Sequence, residues 1–388
     1  MAVLITGIGE LTTNDPELGR IADAALVLDG ERIAWAGPAA SAPAADERVD
    51  VEGRAALPGW VDSHTHLVFA GDRTSEFEAR MAGKPYSAGG IAITVEATRA
   101  ATDAELAANL RRLVTEAARQ GTTCLETKTG YGLSVPDELR SARIAAEVVD
   151  EVTFLGAHVV PPGATAESYV DLVSGEMLDA VADYVRWVDV FCERGAFDEA
   201  QSERVLRAAL GRGLGVRVHG NQLGPGPGVQ LAVRVGAASV DHCTYLTDAD
   251  VEALSASDTV ATVLPACDLS TRGPLAPARR LLDAGAVIAL ASNANPGSSY
   301  TTSMAFCVAT AVLQMGLSVE EAVWAATAGG ARALRRDDVG VIRAGARADV
   351  HVLDAPSATH LAYRPGVPLT WSVWLRGFRC EPCPTVRS

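Results

Sequence analysis

From about Pro58 to Leu334 the chain alternates short apolar segments, polar loops and segments of helical periodicity such as DAELAANLRRLVTEAARQG. Eight of the apolar segments are candidate strands: GWVDSHTHLVF, GTTCLETKTGY, VTFLGAHVV, WVDVFCE, GVRVHGNQ, ASVDHCTYL, DTVATVLPA and AVIALASNAN. Eight successive β/α units favour a closed parallel barrel over an open doubly wound sheet. We therefore predict an α/β fold with a (β/α)8 TIM barrel over residues 58–334.

The two ends of the chain have a different pattern. The segments AVLITGIGELT and AALVLDGERIAWAG alternate short β-branched runs with Gly and Asp-Gly breaks, which is typical of antiparallel hairpins. The segments VGVIRAGARADVHVLD and LTWSVWLRGFRC near the other end have the same character. We predict that residues 1–57 and 335–388 together form one small composite β domain.

Composition and charge narrow the class of partner. The 388 residues are 48% hydrophobic and 21% charged, enough to bury the core of one large barrel. A formal net charge of −15 disfavours binding to nucleic acid or to an anionic membrane and favours a small-molecule ligand. The run GPGPG lacks the GxGxxG spacing of a dinucleotide fold.

The cysteines and the N-terminal segment indicate a compartment. Seven cysteines spread through a long chain do not fit a disulfide framework, and the pair Cys380 and Cys383 is expected to lie in an inert tail. The first residues have no basic segment followed by an apolar run, and no stretch of about 18 apolar residues occurs. We predict a cytoplasmic protein that neither spans nor binds a membrane.

Reactive side chains fall where most of the predicted strands end. In a parallel barrel the carboxyl ends of the strands and the loops that follow them build the mouth, so these side chains are expected to meet there. Five of the seven histidines belong to this set, which argues for a functional site rather than scattered core histidines. The set comprises His64, His66, Glu126, Lys128, Tyr131, His158, Glu193, His219, Gln222, His242, Asn293 and Asn295.

His64 and His66 have the spacing of two metal ligands on one strand. Residues i and i+2 of a strand point to the same face, so one divalent ion could bind both imidazoles. A bare HxH motif is weak evidence by itself, but His219 can supply a third nitrogen. Three neutral imidazoles leave an open position at which bound water is acidified, and the set therefore predicts hydrolytic chemistry.

Three further features are candidates for ligand contacts. Arg73 in FAGDR can bind a carboxylate with two hydrogen bonds, or it can be a solvated surface residue. Tyr131 lies in a glycine-flanked loop, where its phenol could contact a ligand or pack the loop. The NPGSS run from Asn295 to Ser299 could hold an anion on its backbone N–H groups, or it could cap the next helix.

Taken together, PGWVDSHTHLVFAGDR, GTTCLETKTGYGL, TFLGAHVVPP, VDVFCERGAF, VHGNQL, SVDHCTYL and NPGSSYTTSM resemble the imidazolonepropionase family of the amidohydrolase superfamily along almost the whole chain. The resemblance implies a distorted (β/α)8 barrel of the amidohydrolase type with a small β-sandwich domain formed from both chain ends. It also implies one divalent metal, zinc or iron, a homodimer, and hydrolysis of 4-imidazolone-5-propanoate to N-formimidoyl-L-glutamate in histidine degradation.

The same resemblance assigns roles to individual residues. The family's metal histidines match His64, His66 and His219, and its propionate-binding arginine matches Arg73. The histidine over the reacting carbonyl matches His242. Its other substrate contacts match Tyr86, Tyr131, His158, Asn295, Gly297 and Ser298.

The chain departs from the family pattern at two acidic positions. Asn293 stands where an aspartate usually binds the metal and accepts the proton of the attacking water, and Gln222 stands where a glutamate usually lies. An amide oxygen can still bind a cation or hydrogen-bond a ring, but it cannot accept a proton usefully near neutral pH. We therefore expect Asn293 to remain a metal ligand and Gln222 to remain a ring contact, with the proton acceptor elsewhere.

The replacement base is an open question at this level. Nearby carboxylates could substitute, namely Glu126, Glu193, Asp241 and Asp268. Strict alternation predicts that Asp241 points away from the face used by His242. His242, with an ordinary pKa near 6.5, is therefore the favoured substitute base.

Two alternatives follow from the missing acids. The chain could be a diverged barrel that only binds a heterocyclic carboxylate, or that transforms one without a metal. It could also keep the metal and hydrolyse a related cyclic amide.

Overall fold

The structure is a computed structural model and describes residues 1–83 and 90–380. Its strands are β1 (Ala2–Thr12), β2 (Arg20–Asp29), β3 (Arg32–Pro38), β4 (Glu47–Asp50), β5 (Ala55–Pro58), β6 (Trp60–Asp62), β7 (Thr122–Lys128), β8 (Glu151–Ala157), β9 (Trp187–Cys192), β10 (Gly215–Gly220), β11 (Ser239–His242), β12 (Val260–Val263), β13 (Ile288–Leu290), β14 (Val350–Leu353), β15 (Thr370–Leu375) and β16 (Phe378–Cys380).

The helices occupy most of the remaining chain. They are α1 (Thr74–Met81), α2 (Ile91–Ala100), α3 (Asp103–Arg119), α4 (Val135–Ala146), α5 (Ala166–Leu172), α6 (Leu178–Val181), α7 (Glu199–Leu210), α8 (Gly228–Val235), α9 (Asp248–Ser255), α10 (Pro265–Thr271), α11 (Ala278–Asp283), α12 (Met304–Gln314), α13 (Val319–Trp324), α14 (Gly330–Ala333) and α15 (His360–Tyr363). None of these described helices has the length and hydrophobicity that a membrane crossing requires.

The eight strands β6 to β13 form one sheet in their sequence order. The pairs from β7 to β13 run parallel, as β/α connections require. The two edges are joined beyond the strand ends: the amide of Asn293 donates to the carbonyl of His64 at 3.0 Å, and the amide of His66 donates to Ala294 at 2.9 Å. The predicted (β/α)8 barrel is confirmed.

The strands near the chain ends form a second, mixed sheet in the order β16-β15-β14-β5-β1-β2-β3, with β4 also paired to β1. β1 bends at Gly7, which has a φ of 67° and marks a register shift. Before this bend β1 pairs with β4, and after it β1 pairs with β5. Both halves bury side chains in one core, including Ile5, Leu11 and Trp374. The predicted β-rich unit from both ends is confirmed.

The chain divides into two compact units. One comprises residues 1–62, 115–124 and 303–388, and the other comprises residues 63–114 and 125–302. The second unit contains every described candidate site residue. The sequence-based boundaries at residues 57 and 334 remain a prediction.

Candidate functional site

Four histidines converge in the described part of the barrel. The Nε2 atoms of His64 and His66 lie 3.3 Å apart, and the ring centroids of His64 and His219 lie 4.6 Å apart. Ring nitrogens of His64, His219 and His242 all fall within 4.8 Å of one another. The structure thus brings the three predicted metal histidines together and adds His242 to the group.

The segment that carries His64 and His66 lies beyond the last residue of β6. Thr65, between the two histidines, fixes this segment: its amide donates to Glu126 Oε2 at 3.1 Å, and its hydroxyl donates to the Glu126 carbonyl at 2.6 Å. One buried carboxylate and its own backbone therefore hold the peptide from which both imidazoles project.

Two aspartates orient the imidazoles from behind. His64 Nδ1 lies 2.6 Å from Asp241 Oδ2, and His219 Nδ1 lies 3.0 Å from Asp189 Oδ2. Asp189 also accepts the backbone N–H of His219 at 3.1 Å. Because each carboxylate engages Nδ1, the Nε2 lone pair of each ring is left for a ligand, as in many metal sites.

A buried charge network lies next to these aspartates. Lys128 Nζ is 2.9 Å from Glu126, 2.9 Å from Asp189 and 3.7 Å from Asp241. Arg217 lies 3.2 Å from Asp241, and all five side chains are fully buried. Three carboxylates facing two cations leave one uncompensated negative charge beside the histidines, which favours a bound cation.

Four buried histidines of the site, His64, His66, His158 and His242, have lowered pKa values and are held neutral. Burial, followed by the Lys128 charge, lowers the pKa of His64 to about 3, and burial lowers the pKa of His158 to about 4. Burial also lowers the pKa values of His66 and His242 well below the usual value. Neutral imidazoles suit metal binding. The expectation that His242 keeps an ordinary pKa is wrong, because its ring is buried in the folded chain. The sequence alone does not show this burial.

Asp241 does not point away from the site. Burial alone would raise its pKa, but Arg217 and His64 outweigh burial and hold the pKa well below the usual range. The alternation argument fails because β11 ends here and His242 has a φ of 81°, outside the strand conformation. Asp241 and His242 therefore both contact the histidine group, and Asp241 is committed to its ion pairs.

Asn293 and Gln222 lie around the thiol of Cys267. The Gln222 amide nitrogen is 3.9 Å from Cys267 Sγ, and the Asn293 side chain is also hydrogen-bonded to this sulfur. Asn293 Oδ1 is buried without a hydrogen-bond partner in residues 1–83 and 90–380. A buried amide oxygen in this state, next to neutral imidazoles, fits a divalent cation.

The candidate ligand residues line one pocket with the histidines. Tyr86 falls in residues 84–89, outside the described residues. Gly297 does not line the pocket but lies next to Arg73. The lining comprises His66, Arg73, Ile91, Tyr131, His158, Phe191, His219, Gln222, His242, Asn293, Asn295 and Ser298.

Arg73 is buried and already paired. Its Nε donates to Glu76 Oε2 at 2.8 Å, and its Nη2 donates to Glu76 Oε1 at 2.7 Å. Arg73 is therefore not the solvated surface residue that the sequence allowed as an alternative. The guanidinium is fixed at the pocket by a residue of α1.

Glu138 fixes the loop that carries Tyr131. Its carboxylate accepts three backbone N–H groups, from Gly130 (3.0 Å), Gly132 (2.8 Å) and Leu133 (2.7 Å). The Gly130 carbonyl in turn lies 2.9 Å from His158 Nδ1. This contact places the proton of His158 on Nδ1 and leaves Nε2 as an acceptor.

The NPGSS loop is built around Asn295. Its side-chain oxygen accepts the backbone N–H groups of Gly297 at 2.9 Å and Ser298 at 2.8 Å. These two N–H groups are therefore engaged within the loop rather than arranged as an anion cradle. The helix that follows, α12, is capped by Ser303 rather than by Ser298 or Ser299.

Two more candidate carboxylates accept hydrogen bonds from nearby segments. Glu193 accepts the backbone N–H groups of Gln222 and Leu223. Asp268 accepts the Thr244 hydroxyl at 3.1 Å and the Ala276 amide at 3.0 Å. Burial outweighs these bonds and raises the pKa of Asp268 to about 7.

Asp268 gives a prediction for stability against pH. Because the folded chain raises this pKa above its ordinary value of 3.8, the group's stabilisation is complete below pH 3.8 and is lost as pH rises through about 7. We expect Asp268→Asn, which is neutral at every pH, to gain stability relative to the native chain as pH rises from 3.8 to about 7. Urea unfolding at several pH values measures this gain. Asp258→Asn, at an exposed position, is the control, and an equal gain there would contradict the assignment.

Sequence reasoning missed several residues that organise this site. Asp189 carried a signal, because an aspartate in the middle of the apolar segment WVDVFC calls for a buried partner. Glu76 had the i, i+3 spacing of a helical ion pair with Arg73. Glu138 and Cys267 had no comparable signal, because their contacts depend on how the loops fold.

A parallel barrel with clustered histidines and buried aspartates at its mouth is the architecture of the amidohydrolases. The sequence pattern of the Amidohydrolase family matches residues 230–367. An adenosine deaminase from Xanthomonas campestris, solved with bound zinc, shares the fold with a TM-score of 0.74 at 20% identity over 97% of this chain and 92% of that one.

Two curated relatives narrow the family. The imidazolonepropionase of Saccharopolyspora erythraea is 74% identical over 382 residues, covering 97% of this chain and 98% of the relative. The imidazolonepropionase of Arthrobacter sp. (strain FB24) is 65% identical over 400 residues, covering 98% and 100%. The chain belongs to the imidazolonepropionase family, and the resemblance seen in the sequence is confirmed.

Proposed function

We propose that the chain hydrolyses the cyclic amide bond of 4-imidazolone-5-propanoate, giving N-formimidoyl-L-glutamate in histidine degradation. Water adds to the ring carbonyl carbon, the adjacent ring C–N bond breaks, and the ring nitrogen takes up a proton. The observation that carries this function is identity of 74% to an imidazolonepropionase over nearly the full length of both chains.

The alternatives are not favoured. A barrel that only binds a heterocyclic carboxylate, or one that hydrolyses another cyclic amide, would not be expected at such high identity to several imidazolonepropionases. The amides at Asn293 and Gln222 therefore belong to an enzyme of this family and do not by themselves indicate another reaction.

The chain is a metal-dependent hydrolase, and the ion we propose is one zinc or iron. Such an ion, when bound, acidifies water and polarises a carbonyl. His64, His66 and His219 would hold it through their imidazole nitrogens, with the Asn293 side-chain oxygen as a further ligand. Asp241 and Asp189 hold two of these rings by their Nδ1 atoms, which supports these ligand roles.

Arg73, Tyr131 and His158 would recognise the substrate. The Arg73 guanidinium at the pocket wall complements the charge of the propionate and can donate two parallel hydrogen bonds to it. His158 offers Nε2 as an acceptor toward the imidazolone ring, because its Nδ1 is engaged by Gly130. Tyr131 lies in the pocket beside His158, with ring centroids 5.5 Å apart. Asn295 and Ser298 line the same pocket.

His242 would act as a neutral hydrogen-bond donor to the ring carbonyl. Because burial lowers its pKa, it is a poor proton store near neutral pH, and the role of general base fits it less well. A neutral imidazole N–H can stabilise the negative charge that develops on the carbonyl oxygen as water adds. Gln222, beside this region, would hydrogen-bond the ring without exchanging a proton.

Metal analysis of the purified protein, together with an ultraviolet assay of freshly prepared 4-imidazolone-5-propanoate, tests the proposed function. We expect about one metal ion per chain and loss of the substrate absorbance. Metal-free protein that binds the substrate without turnover would instead identify a binding protein. A metal-loaded protein without turnover would point to another cyclic amide.

We also propose that the chain forms a homodimer, on the basis of the family resemblance. We propose that it is cytoplasmic, on the basis of its reduced, mostly buried cysteines. Light scattering coupled to size-exclusion chromatography tests the dimer. A mass near 40.3 kDa would be that of a single chain and would overturn this part of the proposal.

A further inference from the structure

Glu76 contacts the proposed substrate anchor, Arg73, through two hydrogen bonds. Its carboxylate covers the edge of the guanidinium formed by Nε and Nη2, at 2.8 and 2.7 Å. The Glu76 side chain is 27% exposed, whereas the Arg73 side chain is 2% exposed. The buried cation thus reaches the pocket already held by a partner on the next helical turn.

The hydrogen bonds to Glu76 leave a different edge of Arg73 for another ligand. A guanidinium has five N–H groups, and the pair with Glu76 uses one on Nε and one on Nη2. The terminal edge, made by Nη1 and the other side of Nη2, keeps the fork that matches a second carboxylate. An arginine without the Glu76 contact could rotate about its side-chain bonds and would present either edge.

Two glycines leave the space that this pair occupies. A Cβ atom on Gly297 would lie 2.1 Å from Arg73 Nη1. A Cβ atom on Gly90 would lie 2.2 Å from Arg73 Nη2 and 2.1 Å from Glu76 Oε2. Any side chain at either position would displace the guanidinium, so the backbone is shaped around the Arg73–Glu76 pair.

Arg80, one turn further along α1, holds the same loop. Its Nη1 and Nη2 donate to the Gly297 carbonyl at 3.1 and 3.0 Å. Its Nη1 also lies 3.8 Å from Glu76 Oε1. Helix α1 therefore fixes both the guanidinium of Arg73 and the glycine against which that guanidinium rests.

We propose that Glu76 is a positioning residue that turns the terminal edge of Arg73 toward the propionate of the substrate and so determines the preference for a side-chain carboxylate. This inference rests on the proposed function, in which Arg73 binds that carboxylate. Fixing the arginine before binding removes the entropic cost of ordering a long side chain in the complex. Glu76 thus acts on recognition and not on the bond that breaks.

Steady-state kinetics of Glu76→Ala with two substrates tests the proposal. One substrate is 4-imidazolone-5-propanoate, and the other is the analogue whose propionate is a carboxamide. For the carboxylate we expect KM to rise about tenfold and kcat to stay within about threefold, because the ring contacts are unchanged. For the carboxamide we expect no change in KM. Glu76→Gln, which keeps one acceptor oxygen, should give a smaller increase.

Glu78→Ala is the matched control, because it removes the same charge from an exposed position of the same helix. Thermal melting checks that each variant is folded. Equal effects of Glu76→Ala on both substrates, no effect on either, or an equal effect of Glu78→Ala would overturn the positioning role.

The failure of the proposed function has a different signature. If the native chain does not turn over 4-imidazolone-5-propanoate, the proposed reaction fails, and this inference fails with it. If the native chain is active but Arg73→Met keeps its preference for the carboxylate over the carboxamide, Arg73 is not the anchor and Glu76 cannot act through it. Only an active native chain with an Arg73-dependent preference and a Glu76-dependent KM supports the inference.

Discussion

His219→Ala is expected to abolish both metal retention and ring opening. His219 is 3% exposed, and its ring lies 4.6 Å from that of His64 and 5.4 Å from that of His66. Its Nδ1 and its backbone amide both engage Asp189. Alanine would remove one of the three proposed imidazole ligands and leave the others unable to retain the ion.

The expected size of the effect follows from the role of the metal. Without an ion to acidify water, kcat should fall by at least about 1000-fold. Metal content after dialysis against a chelator should fall from about one ion per chain to below about a tenth. Elemental analysis and the ultraviolet assay measure the two quantities on the same sample.

A histidine outside the barrel mouth provides the control. His360 begins α15, and His360→Ala should leave metal content and kcat unchanged. Circular dichroism separates loss of metal from loss of fold. A folded His219→Ala protein that keeps its metal and full turnover would refute the assignment of this ligand.

The barrel and the clustering of the histidines could be predicted because both follow from local patterns. Apolar segments at regular intervals specify the strands, and parallel strands bring residues such as His64 and His219 to one end. The resemblance of the motifs to the imidazolonepropionase family then supplied the reaction. These parts needed no knowledge of how any loop folds.

The errors arose where the backbone leaves the regular strand. Strict alternation predicted that Asp241 points away from the face used by His242. Alternation does not apply here, because His242, the last residue of β11, has a φ of 81°. The ordinary pKa assumed for His242 was also wrong, because composition and spacing do not reveal that the ring is buried. A short strand and full burial are both consequences of tertiary structure.

The partners of the site residues were the least predictable feature. Lys128 was recognised only as a polar residue at a strand end, yet it is fully buried among three carboxylates. Arg73 could be interpreted as a solvated surface residue, because nothing in the sequence distinguishes its partner Glu76 from an ordinary surface glutamate. Such pairings depend on contacts between loops and helices whose arrangement the sequence pattern does not specify.

Lys128→Met is expected to destabilise the chain by about 3 to 5 kcal/mol, the cost of breaking a buried ion pair by removing one partner. Lys128 is one of only two lysines in the chain and is fully buried. Methionine keeps the length and the apolar stem of the side chain but removes the charge. Glu126 and Asp189 would then each lose an ammonium group 2.9 Å away, with no water to replace it.

A control variant at an exposed cation shows whether the cost of Lys128→Met depends on burial or only on the loss of a charge. Arg204 lies 2.7 Å from Glu167 and also pairs with Asp171, and its side chain is 44% exposed. Arg204→Met removes a comparable set of ion pairs in water and should cost much less than Lys128→Met. Urea unfolding of both variants under one condition gives the comparison.

The double variant Lys128→Met/Glu126→Gln distinguishes lost charge balance from lost packing. If the cost comes from an uncompensated buried carboxylate, neutralising Glu126 should recover part of the stability that Lys128→Met loses. If packing were the cause, the second change would add to the loss. No recovery in the double variant, or a loss under about 1 kcal/mol in Lys128→Met, would show that the ammonium is not what stabilises these carboxylates. Recovery would identify Lys128 as the counter-ion of the buried Glu126 carboxylate.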